Sequence, residues 1–458
     1  MSATPDNRGA RPHRGRLGLL GLIAVIYLVV SGGAYGMEDA VRMAGPRLAL
    51  LLCIIVPLTL SLPTALMAAE LTALMPVEGG FYVWVKEAFG PFAGFLEAYL
   101  TLLYTAVDMA IYPVLFTAYL SFLYPLGLGE QIAVGIALVW CAGLLNAFGI
   151  RVAGNAAIVM TAILLAPFIA MVTVGFGRIA HWRLPTGHLF GHDFAGALGA
   201  GLTVVIWNFS GWENASVVAG ETENAGRNYV RAIAATIPLV ALGYLIPLAV
   251  SLSGSAGGPQ WTAGWFSHVG REIGGAWLGA AVAIGGTVSA FAVFEAGMLW
   301  VSRMPFVLAK DGYLPRGLAT VAASTGSPNR SIFWCCVVYS MLVPLGFVTL
   351  VVLDVFFYMF ALVLEMGALI RLRAMYPERR GRFRIGGGRA GLYLVALAPT
   401  LTWLATFGLV VARGGIRIDF IIGIALAATV WPVYLLCRRV WGGPVETADL
   451  PATSIVAD

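Results

Sequence analysis

Apolar positions run for twenty or more residues at a time along most of this chain, and the polar stretches between them are short and rich in Arg, Gly and Pro. A run of that length spans the hydrocarbon of a bilayer as a helix. The runs predict membrane segments at 17–43, 47–75, 91–123, 130–149, 152–178, 196–222, 228–254, 276–309, 330–350, 352–375, 391–412 and 417–440. These are twelve transmembrane helices in an all-α polytopic protein. The aromatic stretch Gly79 to Gly90 is too short to span and reads as an interfacial or re-entrant helix. Loops are longest at 178–194, 251–275, 310–330 and 377–390, and none is long enough for a soluble domain.

Two segments are interrupted. Ser31-Gly32-Gly33-Ala34-Tyr35-Gly36, followed by Glu38 and Asp39, sits inside segment one. Glycine costs a helix interior about 1 kcal/mol against alanine. In hydrocarbon, freed N–H and C=O groups cost several kcal/mol more each, so such a break persists only where it lines a cavity or is buried in protein. Trp207-Asn208-Phe209-Ser210-Gly211-Trp212-Glu213 interrupts segment six in the same way. Two broken helices in corresponding halves point to a transporter site at mid-membrane. They divide the chain into a first repeat (17–178), a second repeat of inverted topology (196–375) and two added helices (391–440), between polar tails at 1–16 and 441–458.

Composition narrows the class. The chain has 458 residues, 59% apolar and 11% charged, and no soluble fold hides that much apolar surface. The net charge of +5 is no nucleic-acid signal, because most of the 28 basic residues fall in loops on one side of the predicted topology. The heaviest cluster is Arg371, Arg373, Arg379, Arg380, Arg382, Arg384 and Arg389. Basic loops stay in the cytoplasm, which places both termini there and the protein in the cell membrane. Phosphate-binding, nucleophile and metal-ligand motifs are absent, so the sequence predicts no enzyme and no resident cofactor. Cys53, Cys141, Cys335, Cys336 and Cys437 lie in or beside apolar runs without metal spacing.

Carboxylates inside apolar segments are the candidate chemistry, since an intramembrane charge costs at least about 2.5 kcal/mol and faces a cavity or a partner. Glu97, Tyr104 and Asp108 are seven and four residues apart in segment three and share a helix face. Glu213 follows the second break, where the bland alternative is capping of the next half-helix. Glu295 lies in the middle of segment eight. Glu38 and Asp39 are the matching acids of the first break, with coupling, gating or capping as their roles. Glu70, Glu221 and Glu365 fall toward cytoplasmic ends, where pairing with arginines is expected, and Asp354 is placed at the outer surface in water. Arg151, Arg303, Arg371 and Arg373 sit at predicted cytoplasmic ends, within snorkelling reach of water. Many carboxylates and few buried bases favour a cationic substrate, a proton, or both. Tyr35, Trp207, Phe209, Trp212, Phe291 and Tyr358 are candidates to hold an ammonium by cation–π contact, against the alternative of packing. All five histidines lie outside the predicted spans, so a proton relay would use carboxylates. Ser289, Thr287 and the segment-one carbonyls form an alternative oxygen-lined sodium site.

Several motifs carry a resemblance. They are Val30-Ser31-Gly32-Gly33, Gly36-Met37-Glu38-Asp39-Ala40-Val41, Ala44-Gly45-Pro46, Ala69-Glu70-Leu71, Gly79-Gly80-Phe81-Tyr82-Val83-Trp84-Val85 and Ala88-Phe89-Gly90-Pro91. Further on come Asp108 with Tyr112-Pro113-Val114-Leu115-Phe116, then Trp207-Asn208, Trp212-Glu213-Asn214-Ala215-Ser216, Ala219-Gly220-Glu221 and Phe294-Glu295-Ala296. From about Leu17 to Arg389 the chain resembles the amino acid–polyamine–organocation permease superfamily, and within it is similar to the polyamine:proton symporters. The resemblance implies a leucine-transporter-type fold of five plus five inverted segments. It implies a site between segments one, three, six, eight and ten, and uptake of polyamines or amino acids, commonly with protons. In such proteins the segment-one glycine motif takes a substrate carboxylate and segment-six carbonyls take an amino group, which implicates Ser31, Gly32, Gly33, Asn208 and Ser210. Ser-Gly-Gly stands here where amino-acid members have a Gly-Ser-Gly type motif. Glu213 stands where the polyamine group has aspartate. The expectation is a secondary transporter of polyamines or amino acids, with a neutral or acidic amino-acid symporter or exchanger as the rival and a transport-silent sensor as a distant one.

Overall fold

The computed structural model describes residues 18–75, 79–178, 194–254, 260–344, 347–378, 381, 383–414 and 418–442. The two polar tails, His13, the 179–193 stretch with His181, His188 and His192, and Arg379, Arg380 and Arg382 lie outside the described residues, as do the side chains of Arg151 and Glu221.

Among the described residues nine helices are long and apolar enough to cross a membrane, and two further apolar helices are shorter. The shorter two are those expected to be broken. Segment one is α1 (Leu19–Val30), an irregular stretch, and α2 (Glu38–Ala44); segment six is α9 (Phe194–Asn208), a break, and a 3-10 helix over Asn214–Glu221. The half after the second break is thus 3-10 helix rather than α-helix. Segment two joins α3 (Pro46–Val56) to α4 (Leu62–Leu74) through a π-turn at Pro57–Ser61. Pro57 opens that turn and Pro63 follows it, and each removes a backbone donor. The interfacial stretch is α5 (Gly80–Phe89), closed by Gly90 at φ +93° with Pro91 opening α6 (Pro91–Leu123). Next come α7 (Leu128–Ala147), α8 (Ile150–Arg178) and α10 (Ala225–Gly254), and then α11 (Trp265–Gly274) in the long loop before α12 (Ala276–Val301). The chain ends with α13 (Arg303–Lys310), α14 (Asn329–Leu342), α15 (Phe347–Met375), α16 (Gly388–Gly414), α17 (Ile418–Ala428) and α18 (Val430–Trp441).

One boundary differs from the sequence reading. Segments nine and ten were expected to meet at residue 351, but α14 ends at Leu342 and α15 starts at Phe347. Asp354 therefore sits two turns inside a helix and is buried, not solvated at a surface. Arg303 is also buried, with its guanidinium donating to the Leu299 carbonyl.

Helix α6 is the axis of the molecule. It packs most extensively on α12 and α15, while α1 lies against α8 and α10. Large aliphatic side chains such as Leu58, Ile169, Leu394 and Leu401 face outward, as a lipid-facing surface requires.

Candidate functional site

Side chains from other segments satisfy much of the backbone freed at the two breaks, which is what lets them stand inside an apolar protein. At the second break the Asn208 carbonyl accepts from Tyr244 Oη at 2.9 Å and the Trp212 carbonyl from Tyr229 Oη at 3.1 Å. The Phe209 carbonyl accepts from Ser61 Oγ at 3.0 Å and Trp212 Nε1 at 3.0 Å. Ser61 belongs to the π-turn, so the irregularity in segment two serves the one in segment six. The Gly211 N–H donates to Tyr358 Oη at 3.1 Å, with Gly211 at φ +90°, a conformation that favours glycine. At the first break Gly33 N donates to Ser31 Oγ at 3.1 Å and Gly36 N to Glu38 Oε2 at 2.8 Å, while the Gly32 carbonyl accepts from Ser289 Oγ. Asn208 Nδ2 reaches the Gly36 carbonyl at 3.4 Å and ties one break to the other.

Between the breaks lies a cavity of about 650 Å³, counting the space at its mouth. One face of α6 supplies Tyr104, Asp108, Tyr112 and Tyr119 to its wall, spaced four, four and seven apart. The breaks supply Gly32, Tyr35, Trp207, Asn208, Ser210 and Gly211; α12 supplies Ser289; α15 supplies Asp354 and Tyr358. Among the described residues, two carboxylates and six tyrosines are in the wall, and no lysine, arginine or histidine.

The acids form stations along α6. At the middle one, Asp108 accepts from Trp207 Nε1 at 2.9 Å and from Tyr112 Oη at 2.9 and 3.0 Å. Asp354 lies within Coulombic reach of it. Toward the start of α6, Glu97, Glu365 and Glu213 lie within reach of one another's charge, and all three are buried. Between these stations Tyr104 meets Tyr358, which donates to Glu213 at 3.1 Å. Toward the end of α6, Glu38 accepts from Tyr119 Oη at 2.5 Å and Gly264 N at 3.2 Å. Helix α15 repeats the α6 pattern in reverse. Glu97, Tyr104 and Asp108 are seven and four apart; Asp354, Tyr358 and Glu365 are four and seven apart, and each pairs with its counterpart.

Of the residues singled out from sequence, Gly32, Tyr35, Tyr104, Asp108, Trp207, Asn208, Ser210 and Tyr358 converge on the cavity wall. Ser31, Gly33 and Glu213 stand behind it. Phe209 packs edge to face on Tyr244 at 4.7 Å and Trp212 turns its indole N–H to the backbone, so both aromatics pack rather than line. Phe291 is half-buried outside the wall. Glu295 is buried against Asn146, whose amide reaches its carbonyl at 2.9 Å. Asp39 pairs with Arg42 one turn along. Thr287 bonds to the Ala283 carbonyl of its own helix at 2.8 Å and does not join Ser289. Glu70 pairs with Arg373 as expected, but Glu365 meets other carboxylates instead of an arginine. His268, on α11, has its pKa held below the ordinary value by partial burial and then by Arg271. Tyr112, Tyr119, Tyr244, Asn214 and Asp354 were missed as wall residues. The four-residue step from Asp108 to Tyr112 was a signal for one, and the reversed spacing in α15 for another.

Comparison with known proteins agrees on a type. The model of a family described as amino acid permease matches residues 17–430. A probable polyamine transporter of Arabidopsis thaliana is 32% identical over 403 residues, 86% of this chain and 83% of that protein. Polyamine transporter PUT1 of Oryza sativa subsp. japonica is 33% identical over 404 residues, 86% of this chain and 74% of its own. Polyamine transporter RMV1 of Arabidopsis thaliana is 31% identical over 391 residues, 84% of this chain and 79% of its own.

Proposed function

The chain belongs to the amino acid permease family, and from that premise we propose that it is a secondary transporter that carries polyamines across the cell membrane. The observation that carries this reading is the cavity between the two broken helices, whose wall, among the described residues, holds Asp108 and Asp354 and no basic side chain. A cation entering a low-dielectric space of that kind gains both carboxylates as partners, whereas an anion meets only repulsion. Twelve helices, the first ten as five-plus-five inverted repeats with both ends cytoplasmic, give a fold in which the two halves rock about segments one and six.

Proton coupling fits the station at Glu97, Glu213 and Glu365. Bare carboxylates within reach of one another repel, so the Glu97, Glu213 and Glu365 group favours taking up a proton. Among the described residues, no lysine or arginine stands among the charges that act on this group. Tyr358 links it to the cavity through Glu213, so substrate and proton sites share one side chain. The membrane potential adds about 2.3 kcal/mol per charge per 100 mV to cation uptake.

The test is uptake of labelled putrescine into proteoliposomes under an inward proton gradient, with wild type beside Asp108→Asn and an unlabelled amino-acid panel as competitors. Saturable, gradient-dependent uptake that Asp108→Asn abolishes supports the reading. Carriage of a neutral or acidic amino acid in place of putrescine overturns it.

A further inference from the structure

Resting on that reading, we propose that Asp354 is a substrate-binding residue, and that Asp108 and Asp354 together seat one primary ammonium of an amine that carries no carboxylate.

The two acids differ in how they are satisfied. Both oxygens of Asp108 already accept neighbouring donors, from Trp207 and Tyr112. Asp354 faces the same cavity from α15, is 3% exposed, and its Oδ1 is buried with no hydrogen-bond partner. The charge that acts on Asp354 is that of Asp108, not of any base. A buried carboxylate oxygen without a donor is costly by several kcal/mol, and the cost falls when a cation or a proton enters. An ammonium has three N–H donors and no acceptor. It can reach Asp354 Oδ1 and Asp108 together while Trp207 and Tyr112 keep Asp108 in place.

The cavity offers less to a carboxylate. Among the described residues its wall lacks a basic side chain. The N–H groups of Gly33 and Gly36, two of the donors a broken helix would offer to an anion, are taken by Ser31 Oγ and Glu38 Oε2. Glu38 is held there by Tyr119 and by Gly264 N, so it is fixed in position. The chain has thus supplied its own carboxylate where an amino acid would bring one. Lysine and cadaverine have the same five-carbon spacing between amines and differ by one carboxylate, so they separate the two substrate classes.

Putrescine KM and maximal rate are measured in proteoliposomes for wild type, Asp354→Asn and Asp354→Glu, with cadaverine and lysine as competitors. Putrescine-dependent thermal stabilisation is read in detergent on the same preparations. The expected result is competition by cadaverine at least tenfold stronger than by lysine. Asp354→Asn raises KM tenfold or more and loses the putrescine-dependent stabilisation, with the ligand-free melting temperature unchanged; Asp354→Glu recovers most of both. An unchanged KM in Asp354→Asn, or lysine competing as well as cadaverine, overturns this inference while putrescine transport stands. Absence of amine binding and flux in wild type overturns the polyamine reading and the inference with it. If Asp354→Asn lowers the ligand-free melting temperature and Asp354→Glu restores stability but not KM, the residue is structural and the inference falls.

Discussion

Tyr104 and Tyr358 meet edge to face with ring centroids 5.6 Å apart, each reaching from its own helix to the second break. Tyr104 Oη donates to Asn214 at 3.0 Å, and Tyr358 Oη donates to Glu213 at 3.1 Å while accepting the Gly211 N–H. The pair stands between the cavity and the Glu97, Glu213 and Glu365 group. Any displacement of segment six would act on both rings through these bonds.

Tyr358→Phe keeps the ring and removes both bonds. It leaves the Gly211 N–H buried without an acceptor and Glu213 without its donor, a loss of about 1–3 kcal/mol. The expected outcome is a melting temperature lowered by several degrees and putrescine uptake reduced about tenfold, with proton dependence altered because Glu213 is disturbed. Thermal melts in detergent and uptake at several external pH values check it.

On the proton-coupling reading, Glu97→Gln and Glu365→Gln each remove one carboxyl of the group toward the start of α6 and leave the cavity wall intact. Exchange of labelled for unlabelled putrescine needs no net proton movement. The expectation is that exchange persists within about threefold of wild type while gradient-driven accumulation is lost, so the two assays together decide. Loss of both would place these glutamates in folding rather than coupling.

The breaks, the α5 stretch and the α6 face were legible because glycine spacing and a 3.6-residue period are local properties. Asp354 and Glu365 were not, for a traceable reason. The Asp354 assignment depended on where the turn between segments nine and ten falls, and no charged residue marks it between Val343 and Val352. Hydropathy offers no minimum there, and a shift of a few residues moves Asp354 from the surface into the cavity. Glu365 keeps its place in its segment, but the acids that act on it come from segments three and six. Phe209, Trp212 and Phe291 failed for a different reason. Proximity to a break in sequence does not say which way a ring points, and Tyr244 and the Phe209 carbonyl claim two of them. Ser61 and Tyr244, which satisfy the second break, come from other segments and have no sequence signature.

Glu70 and Arg373 form a nearly buried ion pair, with Arg373 Nε 2.8 Å and Nη2 2.5 Å from the two carboxylate oxygens, and Glu70 also accepts the Ile385 N–H at 2.7 Å. They join α4 to the end of α15. Arg373→Met leaves Glu70 buried beside one backbone donor, and removing one partner of such a pair costs about 3–5 kcal/mol. The expected outcome is poor folding or a large drop in melting temperature, partly relieved by the double change Glu70→Met with Arg373→Met. Detergent melts of the three variants show whether the loss comes from the orphaned charge or from the missing pair.

Gly286 and Gly408 both lie inside helices, and the structure gives them opposite fates. A Cβ on Gly286 would stand 2.5 to 2.8 Å from the Cγ and Cδ atoms of Tyr119. That ring has nowhere to go, because its hydroxyl holds Glu38 and its face meets Tyr35 with centroids 4.9 Å apart. Gly286→Ala must push it off Glu38 or narrow the cavity, at an overpacking cost of about 1–3 kcal/mol. Gly408 has nothing within 4 Å of its would-be Cβ. Alanine there gains the helix propensity that glycine lacks, about 1 kcal/mol at most. Gly286→Ala is therefore expected to lose most putrescine uptake with Asp108 and Asp354 untouched, and Gly408→Ala to transport like wild type with an equal or higher melting temperature. Uptake and melts on both variants check it, and normal uptake by Gly286→Ala would show that the Tyr119 side of the cavity is not on the substrate's path.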